Sequence, residues 1–179
     1  MEISSVRQRW LEEEWSVRNR MTDVGVVSSE TLTSFGGLEF WERILQGEIA
    51  IPPISLTLGF IPISVGPGEA VFQGTPLVEH YNPMGGVHGG YFFTLLDSAA
   101  ACAVHTTLPA GVRFTTLEMK INFIRALSSR TGPVRALGKV IHRGRSTSIA
   151  EGRIEGPDGK VYAHCTTTCL LLPEPNGVG

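Results

Sequence analysis

The sequence predicts an α+β domain in which a curved antiparallel β-sheet wraps around one central buried α-helix. The segment 88–105 is apolar or small almost all round, as expected of a helix that is buried on every side. Two strand-like segments precede it, and four follow it, with short turns typical of antiparallel hairpins. A single helix of this kind can bury its surface only if a sheet curves about it.

Before this helix, residues 38–46 have apolar side chains at helical spacing, and Gly47 provides a stop. Pro52 and Pro53 break the chain. The two strands predicted next are Leu56–Val65 and Glu69–Gly74.

After the helix, the segment Thr115–Ile124 alternates in the manner of a half-buried strand. The alternation predicts one face formed by Leu117, Met119, Ile121 and Phe123, and an opposite face formed by Thr116, Glu118, Lys120 and Asn122. The remaining predicted strands are Val134–Arg143, Ser146–Glu155 and Lys160–Leu172.

The chain of 179 residues fits one domain that is long enough to bury a core. We expect this domain to span residues 38–172. Residues 1–37 form a predicted N-terminal extension, largely flexible, in which a short helix over 7–20 precedes a polar linker over 28–37. Residues 173–179 form a predicted C-terminal tail.

Composition and charge exclude several classes of function. The net charge of −2 does not favour nucleic acid or an anionic membrane as partner, and no apolar run reaches the length of a membrane span. Three cysteines without CxxC spacing favour small core residues in a reduced, cytoplasmic protein. The histidines lack ligand spacing with acidic residues, so we expect no metal site.

Asp97 is the candidate catalytic residue. It is the only Asp, Glu, Lys or Arg between Glu79 and Arg113, and it lies inside the predicted buried helix. An isolated carboxylate in apolar surroundings is costly unless it is hydrogen-bonded, paired or neutralised. A glycine-rich loop over 82–90 opens the helix, and backbone N–H groups at a helix N-terminus bind anions or carbonyl oxygens. The combination favours a site that polarises a carbonyl group next to an acid that acts on it.

The motif Asn82-Pro-Met-Gly-Gly-Val-His-Gly-Gly90, followed by Asp97-Ser-Ala, resembles the acyl-CoA thioesterases of the PaaI type. These are hotdog-fold proteins of the 4-hydroxybenzoyl-CoA thioesterase superfamily, and the resemblance covers residues 38–172. It implies hydrolysis of a small or aromatic acyl-CoA without a further cofactor, CoA being part of the substrate. It also implies a homodimer, with dimers often pairing into tetramers.

The resemblance implies roles for particular residues. Gly89 presents its N–H to the thioester oxygen, Asp97 is nucleophile or general base, and Asn82 assists in the loop. Thr116 helps to place water, although strand alternation sets it on the polar face and leaves its neighbour Thr115 as an alternative.

The residues themselves leave other readings open. The glycines are also typical of close backbone packing at a helix start, and Asn82 of a turn before proline. His88 either holds the loop or acts as a base, as in related hotdog dehydratases. A non-catalytic module that binds or senses acyl-CoA is a further alternative, because fold does not dictate function.

CoA carries a pyrophosphate and a 3′-phosphate, which guanidinium groups suit. The predicted turn Gly144-Arg145-Ser146 is the first candidate to bind them.

Gly89 and Asp97 lie eight residues apart, which is about 12 Å along a helix. One helix therefore cannot place both groups on one carbonyl, and we expect a two-fold dimer in which each site takes Gly89 from one chain and Asp97 from the other.

Overall fold

The computed structural model describes residues 3–21 and 23–173. A six-stranded antiparallel sheet in the order β1-β2-β4-β5-β6-β3 wraps around the central helix α5. The strands are β1 Phe60–Gly66, β2 Glu69–Gly74, β3 Val112–Phe123, β4 Val134–Arg143, β5 Thr147–Glu155 and β6 Val161–Pro173. The helices are α1 Ile3–Arg18, α2 Ser29–Ser34, α3 Gly37–Gln46, α4 Pro53–Leu58 and α5 Gly89–His105. This is the hotdog fold, as predicted.

The central helix approaches the sheet closely at two glycines that pair directly across β4 and β5. Gly138 lies opposite Gly152 in the register. A Cβ added at Gly138 would lie 2.1 Å from the carbonyl oxygen of Ala99 in α5, and one at Gly152 would lie 3.3 Å from a methyl carbon of Leu96. The missing side chains therefore let the sheet contact the helix backbone itself.

The structure corrects the prediction of a largely flexible N-terminal extension. Residues 3–18 form α1, and the expected polar linker contains α2. Trp10 is 6 % exposed because α1 lies over residues of β2 and β4 that point away from α5. Gln73 in β2 donates to the Trp10 carbonyl at 3.1 Å and to Glu14 at 2.7 Å, and the Arg135 guanidinium of β4 stacks 4.4 Å from the Trp10 ring.

The other predicted helices and strands begin and end within a few residues of the observed bounds, except for the first strand. The first strand begins at Phe60 and not at Leu56, because Pro53 starts the short helix α4. Proline fits the first position of a helix, where no backbone donor is needed. Gly47 ends α3, as predicted, and the structure shows that it does so in the left-handed conformation. The predicted C-terminal tail, 173–179, lies outside the described residues apart from Pro173.

The alternation predicted for β3 is wrong at its centre. A β-bulge between Thr116 and Glu118 leaves Leu117 as an extra residue against β6, so the inward face changes from even to odd positions. Phe114 and Thr116 point inward before the bulge, and Met119 points inward after it. Leu117 is 56 % exposed and does not share the face of Met119.

One edge of the sheet carries exposed apolar side chains. In the described part of the chain, β3 pairs only with β6, which leaves its outer edge without a neighbouring strand. The exposed apolar residues at this edge are Leu117, Phe123 and Ile124. Within the described residues, no helix is both long enough and apolar enough to cross a membrane.

Candidate active site

The loop before α5 is shaped by Asn82. Its side-chain oxygen accepts hydrogen bonds from the backbone N–H groups of Met84 at 2.9 Å and Gly86 at 3.3 Å. Its own N–H donates to the Gly86 carbonyl, and Gly85 takes a positive φ of 81°. The turn role predicted for Asn82 is therefore observed, and it sets the path of the chain into the helix.

His88 is the N-cap of α5. Its Nδ1 accepts a hydrogen bond from the Gly90 N–H at 2.8 Å, and its backbone N–H donates to the His80 carbonyl at 2.8 Å. Because Nδ1 is occupied as an acceptor, His88 fits the loop-holding role better than that of a base. The same capping interaction uses the Gly90 N–H and leaves the one before it available.

Gly89 is the first residue of α5, and no group among the described residues accepts a hydrogen bond from its N–H. It lines an open pocket of about 450 Å³ together with Phe92, Phe123 and Arg125. A free N–H at a helix N-terminus in apolar surroundings suits a polarised carbonyl oxygen. Phe123 was not predicted as a pocket residue, since strand alternation alone does not show which end of a strand reaches the helix.

Asp97 lies on the same helix, two turns further along, and is half-buried. Burial raises the pKa of its carboxyl group, and a hydrogen bond from Thr116 lowers it in part. Thr116 Oγ1 donates to Asp97 Oδ1 at 2.9 Å, so the structure brings Thr116, and not the exposed Thr115, to the acid. The bulge in β3 causes this placement, because it turns Thr116 toward the helix.

The three aromatic residues at the start of α5 have different environments. Phe92 lines the pocket at Gly89 and contacts Phe123 edge to face. Tyr91 is buried and stacks on His80 with ring centroids 4.4 Å apart. Phe93 is 43 % exposed. Of these three aromatic residues, only Phe92 lines the pocket at Gly89.

The predicted CoA-binding turn Gly144-Arg145-Ser146 connects β4 to β5, and Arg145 is exposed. Thr147, which follows it, pairs with Leu170, and Leu170 pairs with Thr115. The turn therefore lies two strands from β3, about 10 Å away, at the level of Asp97's hydrogen-bond partner. The turn is therefore level with Thr116, whereas Gly89 of the same chain lies next to Phe123 at the other end of β3.

The cysteines are core residues, as predicted. Cys102, Cys165 and Cys169 are buried and free, and burial raises the pKa of each thiol, to about 11 for Cys165. In the described residues, no three His, Cys, Asp or Glu side chains are grouped so that they could hold a metal ion.

The thioesterase superfamily model matches residues 84–163, which include Gly89, Asp97 and Thr116. A phenylacetic acid degradation-related protein of Ralstonia eutropha is 30 % identical, with a TM-score of 0.66 over 73 % of this chain and 98 % of that one. The PaaI protein of the Escherichia coli phenylacetic acid degradation operon is 25 % identical, with a TM-score of 0.62 over 68 % and 85 % of the two chains.

Curated proteins also match this chain. A 1,4-dihydroxy-2-naphthoyl-CoA hydrolase of Listeria monocytogenes is 29 % identical over 64 % of this chain and 90 % of its own length. The match to another curated relative spans 63 % of that protein. The chain therefore belongs to the thioesterase superfamily, a family of thioester hydrolases, and is of the PaaI type.

Proposed function

We propose that this protein hydrolyses an acyl-CoA thioester to the free acid and CoA. The observation that carries the proposal is the pair formed by the free Gly89 N–H and the half-buried Asp97 carboxylate on one helix. The acyl-CoA substrate named for the Listeria monocytogenes relative supports CoA as the thiol part.

In this reaction, the Gly89 N–H polarises the carbonyl and stabilises the negative charge that develops on its oxygen. Asp97 either removes a proton from the attacking water or attacks the carbonyl carbon itself to form a mixed anhydride, which water then hydrolyses. The carbon–sulfur bond breaks, and the thiolate of CoA leaves and takes up a proton. Thr116 holds the carboxylate of Asp97 in position through its hydrogen bond.

The distance along the helix makes the site a shared one in this proposal. Gly89 and Asp97 of one chain lie about 12 Å apart along α5. A carbonyl carbon must lie within about 3.5 Å of the attacking atom while its oxygen touches the N–H. Each site is therefore completed by Asp97 of the partner subunit in a two-fold dimer. The outer edge of β3, which has no neighbouring strand among the described residues, offers a surface for this dimer.

The role of Gly89 is tested by removing its N–H alone. Proline fits the first position of a helix and lacks the donor, and the extended backbone of His88 is compatible with a following proline. Gly89→Pro should lower kcat by about 10²- to 10³-fold on a panel of acyl-CoAs, measured as release of free thiol. Gly89→Ala is the matched control, because it adds the same Cβ next to Phe123 but keeps the N–H. An equal loss of kcat in both variants would contradict the role of the Gly89 N–H in stabilising the oxyanion.

The role of Asp97 and the shared site are tested together. Asp97→Ala alone should abolish thiol release. When Asp97→Ala and Gly89→Pro chains are mixed and exchange subunits, each mixed dimer regains one intact site, which gives about one quarter of the wild-type activity. A mixture that stays as inactive as its parents after exchange contradicts the shared site. Tight binding of a CoA ester that is recovered intact would instead indicate a binding module.

We further propose that Gly144, Arg145 and Ser146 bind the CoA phosphates. Arg145→Ala should then raise KM for acyl-CoA but leave KM unchanged for the same acyl group on N-acetylcysteamine, which lacks phosphates. Arg153→Ala is a suitable control, since Arg153 pairs with Glu155 on the outer face of the sheet. An equal KM change for both thioesters would place the phosphates elsewhere.

A further inference from the structure

Phe93 is an exposed aromatic residue at the middle of the helix that carries both site residues. It is 43 % exposed, whereas Phe92 and Leu95 on the same helix are buried. It lies one turn before Asp97 and so shares the face of α5 that the sheet does not cover. Among the described residues of one chain, Phe93 belongs to neither of the two buried apolar clusters.

The position of Phe93 relative to the proposed site is fixed by symmetry, and the argument rests on the proposed function. If Gly89 of each chain lies opposite Asp97 of the partner subunit, the two copies of α5 run antiparallel about the two-fold axis. The residue midway between positions 89 and 97 then lies beside the axis. We infer that Phe93 packs against the same residue of a second copy of this chain.

The surroundings of Phe93 fit a second copy as the occupant. The neighbouring residues on this face of α5 that are exposed or partly exposed are small: Gly90, Thr94 and Ser98. Small side chains allow two helices to approach closely, with Phe93 as the one large apolar contact between them. Asp97 is the only charged residue on this helix, so no like charges oppose the approach near the axis. The exposed Leu117 and Phe123 extend the apolar surface onto the edge of the sheet.

This contact gives Phe93 a positioning role. The Phe93 pair lies between the two sites and one turn from each Asp97, so it separates the sites and sets the distance between Gly89 of one helix and Asp97 of the other. Truncation of Phe93 should loosen that distance without removing any group that touches the substrate.

Disulfide trapping tests the register. Facing Cα atoms of two helices packed about 8–10 Å apart come within about 3.5–5.5 Å, and the upper part of this range can be bridged by a disulfide. Phe93→Cys should therefore form a covalent dimer under mild oxidation. Ser98→Cys is the matched control on the same face, because its two copies would lie about 15 Å apart along the helix axes. The wild-type chain controls for the three buried native cysteines.

The outcomes separate this inference from the proposed function. A covalent dimer of Phe93→Cys but not of Ser98→Cys supports the self-contact, even if no acyl-CoA is hydrolysed, in which case the function alone fails. No link at position 93 in a protein whose mixed Asp97→Ala and Gly89→Pro dimers are active overturns the inference and leaves the function standing. Equal linking at both positions also overturns it.

A second variant does not depend on cross-linking. Phe93→Asp places two carboxylates against each other at the axis, so the protein should become monomeric by light scattering and lose activity at assay concentrations. Phe93→Leu should stay dimeric and keep kcat within a few-fold of the wild type. A Phe93→Asp protein that is folded, dimeric and active contradicts the inference.

Discussion

Thr116 Oγ1 donates a hydrogen bond of 2.9 Å to Asp97 Oδ1 and so joins strand β3 to the central helix at the candidate catalytic acid. The two influences on this carboxyl group oppose each other. Burial disfavours the ionised form and raises its pKa, while the hydroxyl donor favours the ionised form and lowers it, burial being the larger. Thr116 therefore keeps more of Asp97 in the ionised form that the proposed reaction needs.

Thr116→Val should shift the acid limb of kcat/KM to higher pH. The substitution keeps the shape of the side chain but removes the donor, so the pKa of Asp97 rises further above that of an ordinary aspartate. The change is measured in the pH profile of thiol release. Thr116→Ser retains a donor and should restore the wild-type profile. A limb that does not move in Thr116→Val would show that this hydrogen bond does not tune the acid.

Asp97→Asn should remove activity but raise thermal stability at neutral pH. Because the pKa of Asp97 is higher in the folded than in the unfolded state, the group stabilises the fold only at low pH, and this contribution is lost as pH rises through the folded pKa. Asparagine removes the charge and can still accept from Thr116. A rise in Tm of a few degrees, seen at pH 7 and reduced near pH 4, is expected. A lower Tm at pH 7 would contradict the conclusion that the buried, ionised carboxylate of Asp97 destabilises the fold.

The sequence predicts the central helix and its acid well because both signals are local. An isolated charge among small and apolar residues is visible in the residues around Asp97 themselves. The bulge at Leu117 is not visible in this way, since an apolar residue next to Met119 reads as continued alternation and only pairing with β6 exposes the extra residue. The consequence is large, because the bulge decides whether Thr116 faces the acid or the solvent.

The docking of α1 is hidden for a different reason. Its helix is polar over most of its surface, and its contact with the sheet depends on a polar network between distant parts of the chain. Gln73 reaches Trp10 and Glu14 and also accepts from Arg135 at 2.8 Å. No periodicity within residues 1–37 carries this information, so a helix of this kind looks unanchored until its partners are known.

Gly138→Ala should strongly destabilise the fold. The added Cβ would lie 2.1 Å from the Ala99 carbonyl oxygen, so the central helix or strand β4 must move. A loss of about 1–3 kcal/mol in the free energy of unfolding, or more, is expected from urea titration. Gly66→Ala in β1 is the matched control, since nothing lies within 4 Å of its added Cβ. Equal stability of the two variants would show that the sheet does not contact the helix at Gly138.

The final prediction concerns His105, which ends α5 and is 5 % exposed. Trp41 Nε1 donates to its Nδ1 at 3.0 Å, which requires a neutral ring, and burial lowers the pKa of His105 to about 4. In the unfolded chain, the imidazole of this residue takes up a proton near pH 6.5. The contribution of neutral His105 to the stability of the fold is therefore fully present above that pH and is lost as the pH falls toward 4. The upper limit of the loss is about 3 kcal/mol.

His105→Asn keeps an acceptor for Trp41 but cannot take up the proton. Its free energy of unfolding should be lower than that of the wild type at pH 7, where packing is lost, and the difference should shrink between pH 6.5 and 4. Urea titrations at several pH values measure this difference, in which contributions from other groups cancel. A constant difference between His105→Asn and the wild type would mean that His105 is not held neutral by the fold.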